Sequence, residues 1–391
     1  MPWLETLPVE ERERFIDDHR RGLYDMTELC ERYAVSRKTG YKWLARYDEG
    51  GRPALRDRSR APHTCPHKIS DEVATLLLTA RRRHPDWGAE KLLQWLDPRH
   101  PGVTWPAIST AGDLLARHGL VKKRRRRRPN PHPGVVPPVT HQPNDLWAAD
   151  FKGQFRTGDR IYCYPLTVTD QHTRYLLACH GLLSTKGCGV RPVFDRLFRE
   201  CGLSSAIRTD NGVPFASTSL PGLTPLNVWW LRLGIRHQRI LPASPQQNGA
   251  HERMHKTLKR GAIHPPRATR DAQQRAFNRF RQEFNEERPH TYLNGRTPSS
   301  RYRTSPRIYT GTVPPVEYPS HFLVKRVTGA GTVRFKTRLL YIATALRAQP
   351  IGLEEVDDGI WSVYFCDVLL GRIDERKALE TGQLGVTHVP G

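Results

Sequence analysis

The first third of the chain has apolar residues at the three- to four-residue spacing that is typical of amphipathic helices. Residues 4–48 include Pro8, which suits a first helical turn, and an apolar stripe that begins at Phe15 and Ile16. Residues 69–121 repeat this helical pattern after an intervening polar stretch. The pattern predicts two all-α segments, each of which is a candidate helix-turn-helix unit.

The order of elements in residues 26–44 is typical of a DNA-binding helix-turn-helix motif. A short helix is followed by a turn at Ala34 and by a second helix that Ser36 would cap. Arg37 and Lys38 would then lie at the exposed start of the second helix, where a recognition helix meets base edges. We therefore expect both side chains to contact DNA. The alternative is an ordinary three-helix bundle without that role.

Residues 51–68 are rich in Arg and Pro, which predicts a linker. Within it, Gly51-Arg52-Pro53 resembles the core of an A·T-hook, in which Arg52 would enter the minor groove of DNA. A plain linker is the alternative. A zinc site is not expected, because no second pair of ligands follows at finger spacing the three candidates His63, Cys65 and His67.

Seven consecutive cationic residues follow the second helical segment and open a proline-rich stretch, together residues 122–143. A run of like charges is usually an interaction segment, and the prolines indicate an extended connector. We expect this basic strap to follow DNA phosphates, with a solvated linker as the alternative. Its residues are Lys122, Lys123, Arg124, Arg125, Arg126, Arg127 and Arg128.

The hydrophobic pattern changes at residue 144, where segments with the period of a strand begin to alternate with helical ones. This alternation predicts an α/β domain built on a mixed sheet. The final segment is a run of short strands separated by turn signals, which predicts a small β-barrel. The chain is thus predicted to be multidomain. The predicted order is a helix-turn-helix domain, a linker, a second helix-turn-helix domain, a basic linker, the α/β core and the barrel, at residues 1–50, 51–68, 69–121, 122–143, 144–301 and 302–391.

The charge of the chain indicates a polyanionic partner. Its 391 residues include 62 Lys and Arg against 39 Asp and Glu, which gives a formal net charge of +23. Such an excess of one sign repels itself in a compact chain, and nucleic-acid phosphates are the natural counter-charge. We therefore expect double-stranded DNA as the partner. The alternative is a protein that its charge merely keeps soluble.

The cysteines and the apolar runs bear on the compartment. The seven cysteines include no C-x-x-C pair and are odd in number, so a disulfide framework is not expected and a reducing compartment is favoured. The amino-terminal residues do not have the pattern of a signal peptide, and no apolar run reaches the length of a membrane span. We expect a cytoplasmic, nucleoid-associated protein with no membrane partner.

Three acidic residues occur in settings that together favour a metal site. Asp150 lies within the first strand of the α/β domain, Asp210 ends a later strand, and Glu252 lies early on a helix. Singly, each has an ordinary explanation as an ion-pair partner, a turn former or a helix-surface residue. Together, three carboxylates repel one another unless a cation compensates them, and hard cations take oxygen ligands. They predict a site for two Mg²⁺ or Mn²⁺ ions, the pair that phosphodiester exchange requires.

The motifs around these residues resemble the DDE signature of retroviral integrases and insertion-sequence transposases. The resemblance rests on Asp150, on Thr209-Asp210-Asn211-Gly212 with Phe215, and on Ser244-Pro245 with Asn248-Gly249 and Glu252. It extends beyond the core to Asp57-Arg-Ser-Arg60, Trp87-Gly88 and Arg288-Pro289-His290. The zinc-binding module of retroviral integrases has no counterpart in this sequence, and the predicted helix-turn-helix units stand in its place.

This resemblance implies an RNase H-like core and a DDE transposase whose metal ligands are Asp150, Asp210 and Glu252. Water would first cut DNA at the transposon end to expose a 3′-OH, and that hydroxyl would then attack target DNA. The active form would be a homo-oligomer, at least a dimer, that holds two DNA ends together. The DNA contacts expected near the site are Asn248, Lys256 and Lys259. For Lys256, an ion pair with Glu252 is the alternative.

Two other functional interpretations remain open. One is a catalytically inactive regulator descended from a transposase, which the intact carboxylates argue against. The other is a plain RNase H-like nuclease, which would have no reason to carry two helix-turn-helix units. A rival carboxylate, Asp170, lies close to Arg174 in the sequence, so we expect it to form a structural pair rather than to bind metal.

Overall fold

The structure is a computed structural model that describes residues 7–59, 69–121, 139–217, 222–240, 248–376 and 385–387. Residues 1–69 form one compact unit and residues 70–391 form a second. The basic strap and the zinc candidates His63, Cys65 and His67 lie outside the described residues.

The first unit is a small helical bundle whose second and third helices form the helix-turn-helix pair. Its elements are α1 (Pro8–Arg20), α2 (Met26–Arg32), α3 (Arg37–Gly50) and a 3₁₀ helix (Arg52–Leu55). As predicted, Ser36 caps α3, where its hydroxyl accepts a hydrogen bond from the Thr39 backbone N–H at 3.3 Å. The turn at Ala34 has a left-handed backbone, with φ of 50°. Buried side chains from all four elements form the core: Phe15, Ile16, Leu29, Trp43 and Leu55.

The start of the predicted linker is folded onto this bundle. Leu55 is fully buried, and the Arg52 guanidinium forms an ion pair with Glu13 of α1 at 3.0 Å. Arg52 is thus held against the bundle, which differs from the free arginine expected of an A·T-hook. A DNA contact by Arg52 stays a prediction.

Gly40 lies inside α3, where a glycine costs about 1 kcal/mol relative to alanine. A Cβ atom at this position would lie 2.9 Å from the Cys30 Sγ and 2.9 Å from the Phe15 Cζ. The missing side chain therefore allows α3 to pack closely against both α1 and α2.

The second helical segment has a core of its own. Its elements are α4 (Asp71–Arg83), α5 (Ala89–Leu96), a 3₁₀ helix (Asp97–Arg99) and α6 (Ile108–Arg117). Ser70 caps α4 by accepting a hydrogen bond from the Val73 backbone N–H at 3.3 Å. The three predicted helices are confirmed. They enclose a cluster of buried apolar side chains that includes Leu77, Trp87, Leu92, Leu96, Ala111 and Leu115.

A mixed sheet forms the centre of the second unit. Its strands are β1 (Leu146–Phe151), β2 (Phe155–Arg156), β3 (Tyr162–Asp170), β4 (Leu176–Leu182), β5 (Ala206–Thr209) and β6 (Arg236–Arg239). Strands β1, β3 and β4 pair antiparallel, and β5 and β6 continue the sheet in parallel on the other side of β1. Strand β2 extends the β3 edge. This arrangement is RNase H-like and confirms the predicted mixed sheet.

Helices pack on both faces of this sheet. They are α7 (Gly187–Cys201), α8 (Pro225–Arg232), α9 (Gly249–Leu258) and α10 (Arg270–Gln282), with π-helical turns at Lys259–Ile263 and Glu283–Glu287 and 3₁₀ turns at Thr291–Leu293 and Pro298–Ser300. One core joins α7 and α8 to the sheet through Trp147, Leu166, Phe194, Phe198, Ile207 and Trp230. The other joins α9 and α10 to the opposite face through Leu176, Cys179, Met254, Leu258, Phe277 and Phe280. Because strand side chains alternate between faces, one strand can serve both cores.

The predicted C-terminal β-barrel is wrong, because the described strands do not close on themselves. They are β7 (Leu323–Arg326), β8 (Thr332–Phe335), β9 (Arg338–Tyr341), β10 (Pro350–Asp357), β11 (Ile360–Phe365), β12 (Val368–Asp374) and β13 (Val386–Thr387), with a 3₁₀ turn at Thr344–Leu346. A five-stranded sheet has the order β13-β12-β11-β10-β7, and β8 pairs only with β9. This hairpin buries Val333 and Leu340 against the sheet and leaves Leu339 exposed. The apolar pattern therefore predicts that one face of the strands is covered. Both a closed barrel and an open sheet can have such a face, so the pattern does not distinguish them.

Two smaller expectations concern thiols and membranes. The six cysteines within the described residues are free thiols. The sequence likewise does not predict a disulfide framework. No helix in the described ranges is long and apolar enough to span a bilayer.

Substituting Gly40 and Gly112 by alanine should have opposite effects on stability. Gly112 lies inside α6, where a Cβ would meet no atom within 4 Å. Gly112→Ala should therefore stabilise its unit by about 1 kcal/mol through helix propensity. Gly40→Ala should destabilise the first unit by about 1–3 kcal/mol, because overpacking outweighs propensity. Denaturant unfolding of both variants measures this, and a stabilised Gly40→Ala would contradict the close packing of α3.

Candidate active site

Asp150 and Asp210 lie side by side at the carboxyl ends of adjacent parallel strands. The paired register of β1 and β5 ends at Ala149 opposite Thr209, and each aspartate is the next residue along its strand. The Asp150 side chain is 21% exposed. Asp210 is half-buried, and its Oδ1 accepts a hydrogen bond from the Gly212 backbone N–H at 3.2 Å. The fold thus brings together two carboxylates that are 60 positions apart in the sequence (210 − 150).

Glu252 lies exposed in the first turn of α9, and its charge acts on the Asp150 carboxyl. The helix is fixed to the sheet by two buried imidazoles that flank this glutamate. The Thr167 hydroxyl of β3 lies 2.7 Å from the Nε2 of His251 and 2.7 Å from the Nε2 of His255. The Nδ1 of His251 lies 2.9 Å from the Thr169 hydroxyl. Helix α9 is therefore held in register with the strand that pairs with β1.

The hydrogen bonds at Thr167 determine how His255 faces Asp150. The Thr167 hydroxyl has one proton, and it lies 3.1 Å from the Asp150 carbonyl oxygen, which can only accept. All three contacts are satisfied when the hydroxyl donates to that carbonyl and both imidazoles donate through Nε2. The Nδ1 of His255 then carries a lone pair, and it lies 3.8 Å from the Asp150 Oδ2. Two lone pairs that face each other favour a proton or a cation between them.

The electrostatics of Asp150 point the same way. Burial raises the pKa of its carboxyl to about 7, and the negative charges of Asp210 and Glu252 contribute to that increase. Burial lowers the pKa of His255 to about 3, with a further contribution from the Lys152 charge, so this imidazole is neutral. Among the described residues, the charge of Lys152 lowers the Asp150 pKa but does not cancel this increase. The donor set therefore fits divalent cations with oxygen ligands.

A second donor set overlaps with the first. One ligand atom each from Asp150, His251 and His255 lie within 4.8 Å of one another. However, both ring nitrogens of His251 already face threonine hydroxyls. Metal binding there would have to break the contacts that attach α9 to β3. The imidazoles therefore attach α9 to β3 in this structure, and metal binding by the three carboxylates stays a prediction. The sequence signal for this attachment, two histidines four apart around Glu252, was not used in the prediction.

The rival carboxylate Asp170 has a structural role, as expected, but not with the expected partner. It is fully buried and accepts hydrogen bonds from the Asn144 N–H at 2.8 Å and from the Thr173 N–H at 2.7 Å. Arg174 instead donates to the Gln171 side chain at 3.1 Å and lies over the Tyr292 ring. Asp170 closes the turn between β3 and β4.

The predicted DNA contacts differ in accessibility. Arg37 and Lys38 are exposed at the start of α3, and Lys256 and Lys259 are exposed beside Glu252 along α9. Asn248 is different, since it is only 6% exposed at the beginning of α9, and its Oδ1 has no hydrogen-bond partner among the described residues. A DNA contact by Asn248 would need that side chain to become more accessible. The strap residues 122–128 lie outside the described part of the chain.

Five family models match the chain, and their order agrees with the fold. Two are described as an integrase core domain, at residues 140–245 and 233–298, and together they include all three carboxylates. A helix-turn-helix domain matches residues 11–63, and a homeodomain-like domain matches residues 39–115. The C-terminal domain of the IS481 family transposases matches residues 323–381.

Two known proteins with similar sequences come from bacterial insertion elements. An uncharacterized 31.7 kDa protein of insertion element IS407 from Burkholderia multivorans is 31% identical over 196 residues, which are 48% of this chain and 65% of that protein. An uncharacterized 39.2 kDa protein of insertion element IS476 from Xanthomonas euvesicatoria is 27% identical over 249 residues, which are 62% of this chain and 67% of that protein. The chain thus spans somewhat less than two thirds of the length of the IS407 protein.

A solved structure of the HTLV-2 integrase catalytic core domain is also similar, with 16% identity and a TM-score of 0.33 over 41% of this chain and 98% of that chain. A TM-score of this size does not by itself establish a common fold. The family models match an integrase core domain within the second unit, and the sheet order there is RNase H-like. The chain is therefore similar to insertion-sequence transposases with an integrase core.

Removing the Asp150 charge should stabilise the metal-free protein, and more so at higher pH. A carboxyl whose pKa is raised on folding contributes stability below its unfolded pKa, and this stability is lost as pH rises toward about 7. Asp150→Asn avoids that loss, so its advantage should grow between pH 4 and pH 7 to on the order of 1–3 kcal/mol and then level off. Unfolding in EDTA at several pH values measures it, with the exposed Asp113→Asn of α6 as control. A pH-independent advantage would contradict the burial of an ionising Asp150.

Proposed function

We propose that this chain is a DNA transposase that cleaves DNA at the ends of its element and joins the exposed 3′-OH to target DNA. The observation that carries the proposal is that Asp150 and Asp210 lie at the ends of adjacent parallel strands, and that the charges of Asp210 and Glu252 both act on the Asp150 carboxyl. A site of three acids with a raised carboxyl pKa suits cation-dependent chemistry on phosphates.

The three carboxylates would hold two Mg²⁺ or Mn²⁺ ions. When bound, such ions supply activation of the attacking oxygen and compensation of charge on the leaving oxygen. Asp150 would act as a ligand in its ionised form, and the neutral imidazole of His255 would leave that carboxylate free to do so. Thr167 and Thr169 keep α9 at a fixed distance from β3, so Glu252 stays aligned with the two aspartates. Water acts as nucleophile in the first step and the 3′-OH in the second.

Binding of double-stranded DNA follows from the helix-turn-helix units and the charge. Arg37 and Lys38 would read bases at the start of α3, while the strap at residues 122–128 would follow phosphates without reading sequence. We propose domain limits at residues 50, 68, 121, 143 and 301, as the sequence predicts. Joining two ends to one target requires at least two active sites, which supports a homo-oligomer that is at least a dimer.

Each carboxylate should be necessary for chemistry and dispensable for DNA binding. Asp150→Asn, Asp210→Asn and Glu252→Gln should each reduce cleavage and joining by more than about a hundredfold, because each removes a metal ligand. The assay uses labelled duplexes made from the DNA that flanks the coding sequence, a supercoiled target plasmid, and Mg²⁺ or Mn²⁺. The exposed Glu286→Gln serves as the matched control.

The outcomes separate the three functional interpretations. Joined products from the wild type and the control alone support the transposase. Cleavage without joining would indicate a nuclease, and binding without either reaction would indicate a regulator. A triad variant that still joins DNA in Mg²⁺ would remove that residue from the site.

Two variants should distinguish the residues that recognise the DNA sequence from those that bind its phosphates. Changing Arg37 and Lys38 together to Gln should reduce the preference for end DNA over random DNA, because base contacts specify. Changing the seven strap residues to Gln should weaken binding to both DNAs alike. It should also reduce the slope of log K against log salt by about 3 to 6, at about 0.9 for each lost phosphate contact. Anisotropy titrations at several salt concentrations measure both the preference and the slope. Equal slopes for the wild type and the strap variant would indicate that the strap is only a spacer.

A further inference from the structure

A cavity of about 300 Å³ lies between the second helical segment and the core, beside the helix that carries Glu252. Lys91 of α5 forms one wall, and Ala250, Met254 and Thr257 of α9 form another. The remaining wall comes from the β3–β4 turn and from the residues that follow α10. Four cationic side chains line it: Lys91, Arg174, Arg253 and Arg288.

The cavity concentrates positive charge without an acid in its lining. Its described lining contains no Asp or Glu. Glu283 and Asp86 act on Arg288 from outside the cavity, and Glu283 also lies 3.2 Å from the His84 Nδ1. Four cations therefore share a space that their nearby carboxylates only partly compensate.

The cations act on one another across this space. Burial lowers the pKa of Lys91, and the charge of Arg288 lowers it further. Burial also lowers the pKa of Arg174, and the charge of Arg253 lowers it further, while Tyr292 and Asp170 act in the opposite direction. Such repulsion is costly in a folded protein unless an anion relieves it.

The cationic groups are fixed in place by contacts within the protein. The Lys91 Nζ donates to the Pro289 carbonyl at 2.6 Å, and the Arg174 guanidinium lies 4.2 Å from the centroid of the Tyr292 ring. Burial, with the charges of Lys91, Arg288 and Arg174, lowers the pKa of His290 to about 4, so this neutral side chain adds no charge. These contacts leave the guanidinium groups with donors to spare, since each carries five N–H groups.

A second basic depression of about 270 Å³ continues the cavity along α9. It shares Arg253, Thr257 and Arg288 with the cavity and adds Lys256 and Arg260. One acid, Asp86, lines it. Both depressions lie along α9, the helix that also carries Glu252. A chain of phosphates matches their shape better than one free anion does.

We propose that this cavity binds a phosphodiester of the DNA on which the enzyme acts, held by Arg174, Arg288 and Lys91, and so links the second helical segment to the active site. The inference rests on the proposed function for the identity of the DNA. Through this contact, the position of the second helix-turn-helix unit would determine where the DNA strand enters the candidate active site.

The test is DNA binding by the intact chain in EDTA, so that no cleavage occurs. Arg174→Gln and Arg288→Gln should each weaken binding to a short duplex by about 5- to 20-fold, as expected for lost charge-assisted hydrogen bonds. Each should also reduce the slope of log K against log salt by about 0.9. Arg279→Gln, which removes an exposed arginine of α10, is the matched control and should change neither quantity. Thermal unfolding without DNA checks that the variants fold.

The expected result is folded variants with weaker binding and a smaller slope, whereas unchanged affinity and slope in both would overturn the proposal. Inorganic phosphate at constant ionic strength forms a second arm. Protection of the wild type against unfolding by inorganic phosphate but not by the duplex would overturn the assignment to DNA. DNA binding is measured here without metal, so its result does not depend on the joining reaction. If these variants lose affinity but the wild type joins no DNA in the earlier assay, the proposed function would be refuted and the phosphate site would still be supported.

Discussion

Mutual repulsion among three carboxylates is the constraint on which the rest of the molecule depends. Asp150 and Asp210 meet because β1 and β5 run parallel and side by side, and Glu252 joins them because α9 packs across the neighbouring strand. Burial, together with the charges of Asp210 and Glu252, raises the pKa of the Asp150 carboxyl to about 7. The proposed divalent cations would relieve this repulsion and suit phosphate chemistry.

The site is kept rigid by hydrogen bonds that have no catalytic part of their own. Thr167 contacts both imidazoles of α9 and the Asp150 backbone at once, so hydrogen bonds join the helix, β3 and β1. Cationic side chains line two depressions along α9, and one of these depressions reaches the second helical segment. One helix thus carries a candidate metal ligand, its attachment to the sheet and part of the basic surface.

Much of this could be predicted from the sequence, where local signals agree with the fold. Ser36 and Ser70 predict the helices that they cap, and the change in the hydrophobic period at residue 144 predicts the start of the sheet. The attachment of α9 could not be predicted, because it depends on the register between two segments that are 84 residues apart, at Thr167 and His251. The prediction of a β-barrel was wrong for a related reason. Apolar alternation predicts which face of a strand is covered, but whether the edges β7 and β13 meet is a long-range property.

The most direct test of the central claim is where a divalent ion binds. Crystals of the chain grown with Mn²⁺ and measured at the manganese absorption edge would locate it through anomalous scattering. The account predicts density between Asp150 and Asp210, completed by an oxygen of Glu252, with His251 still hydrogen-bonded to Thr167 and Thr169. Density held by His251 and His255, or an ion that leaves Asp210 and Glu252 out of its coordination, would contradict it.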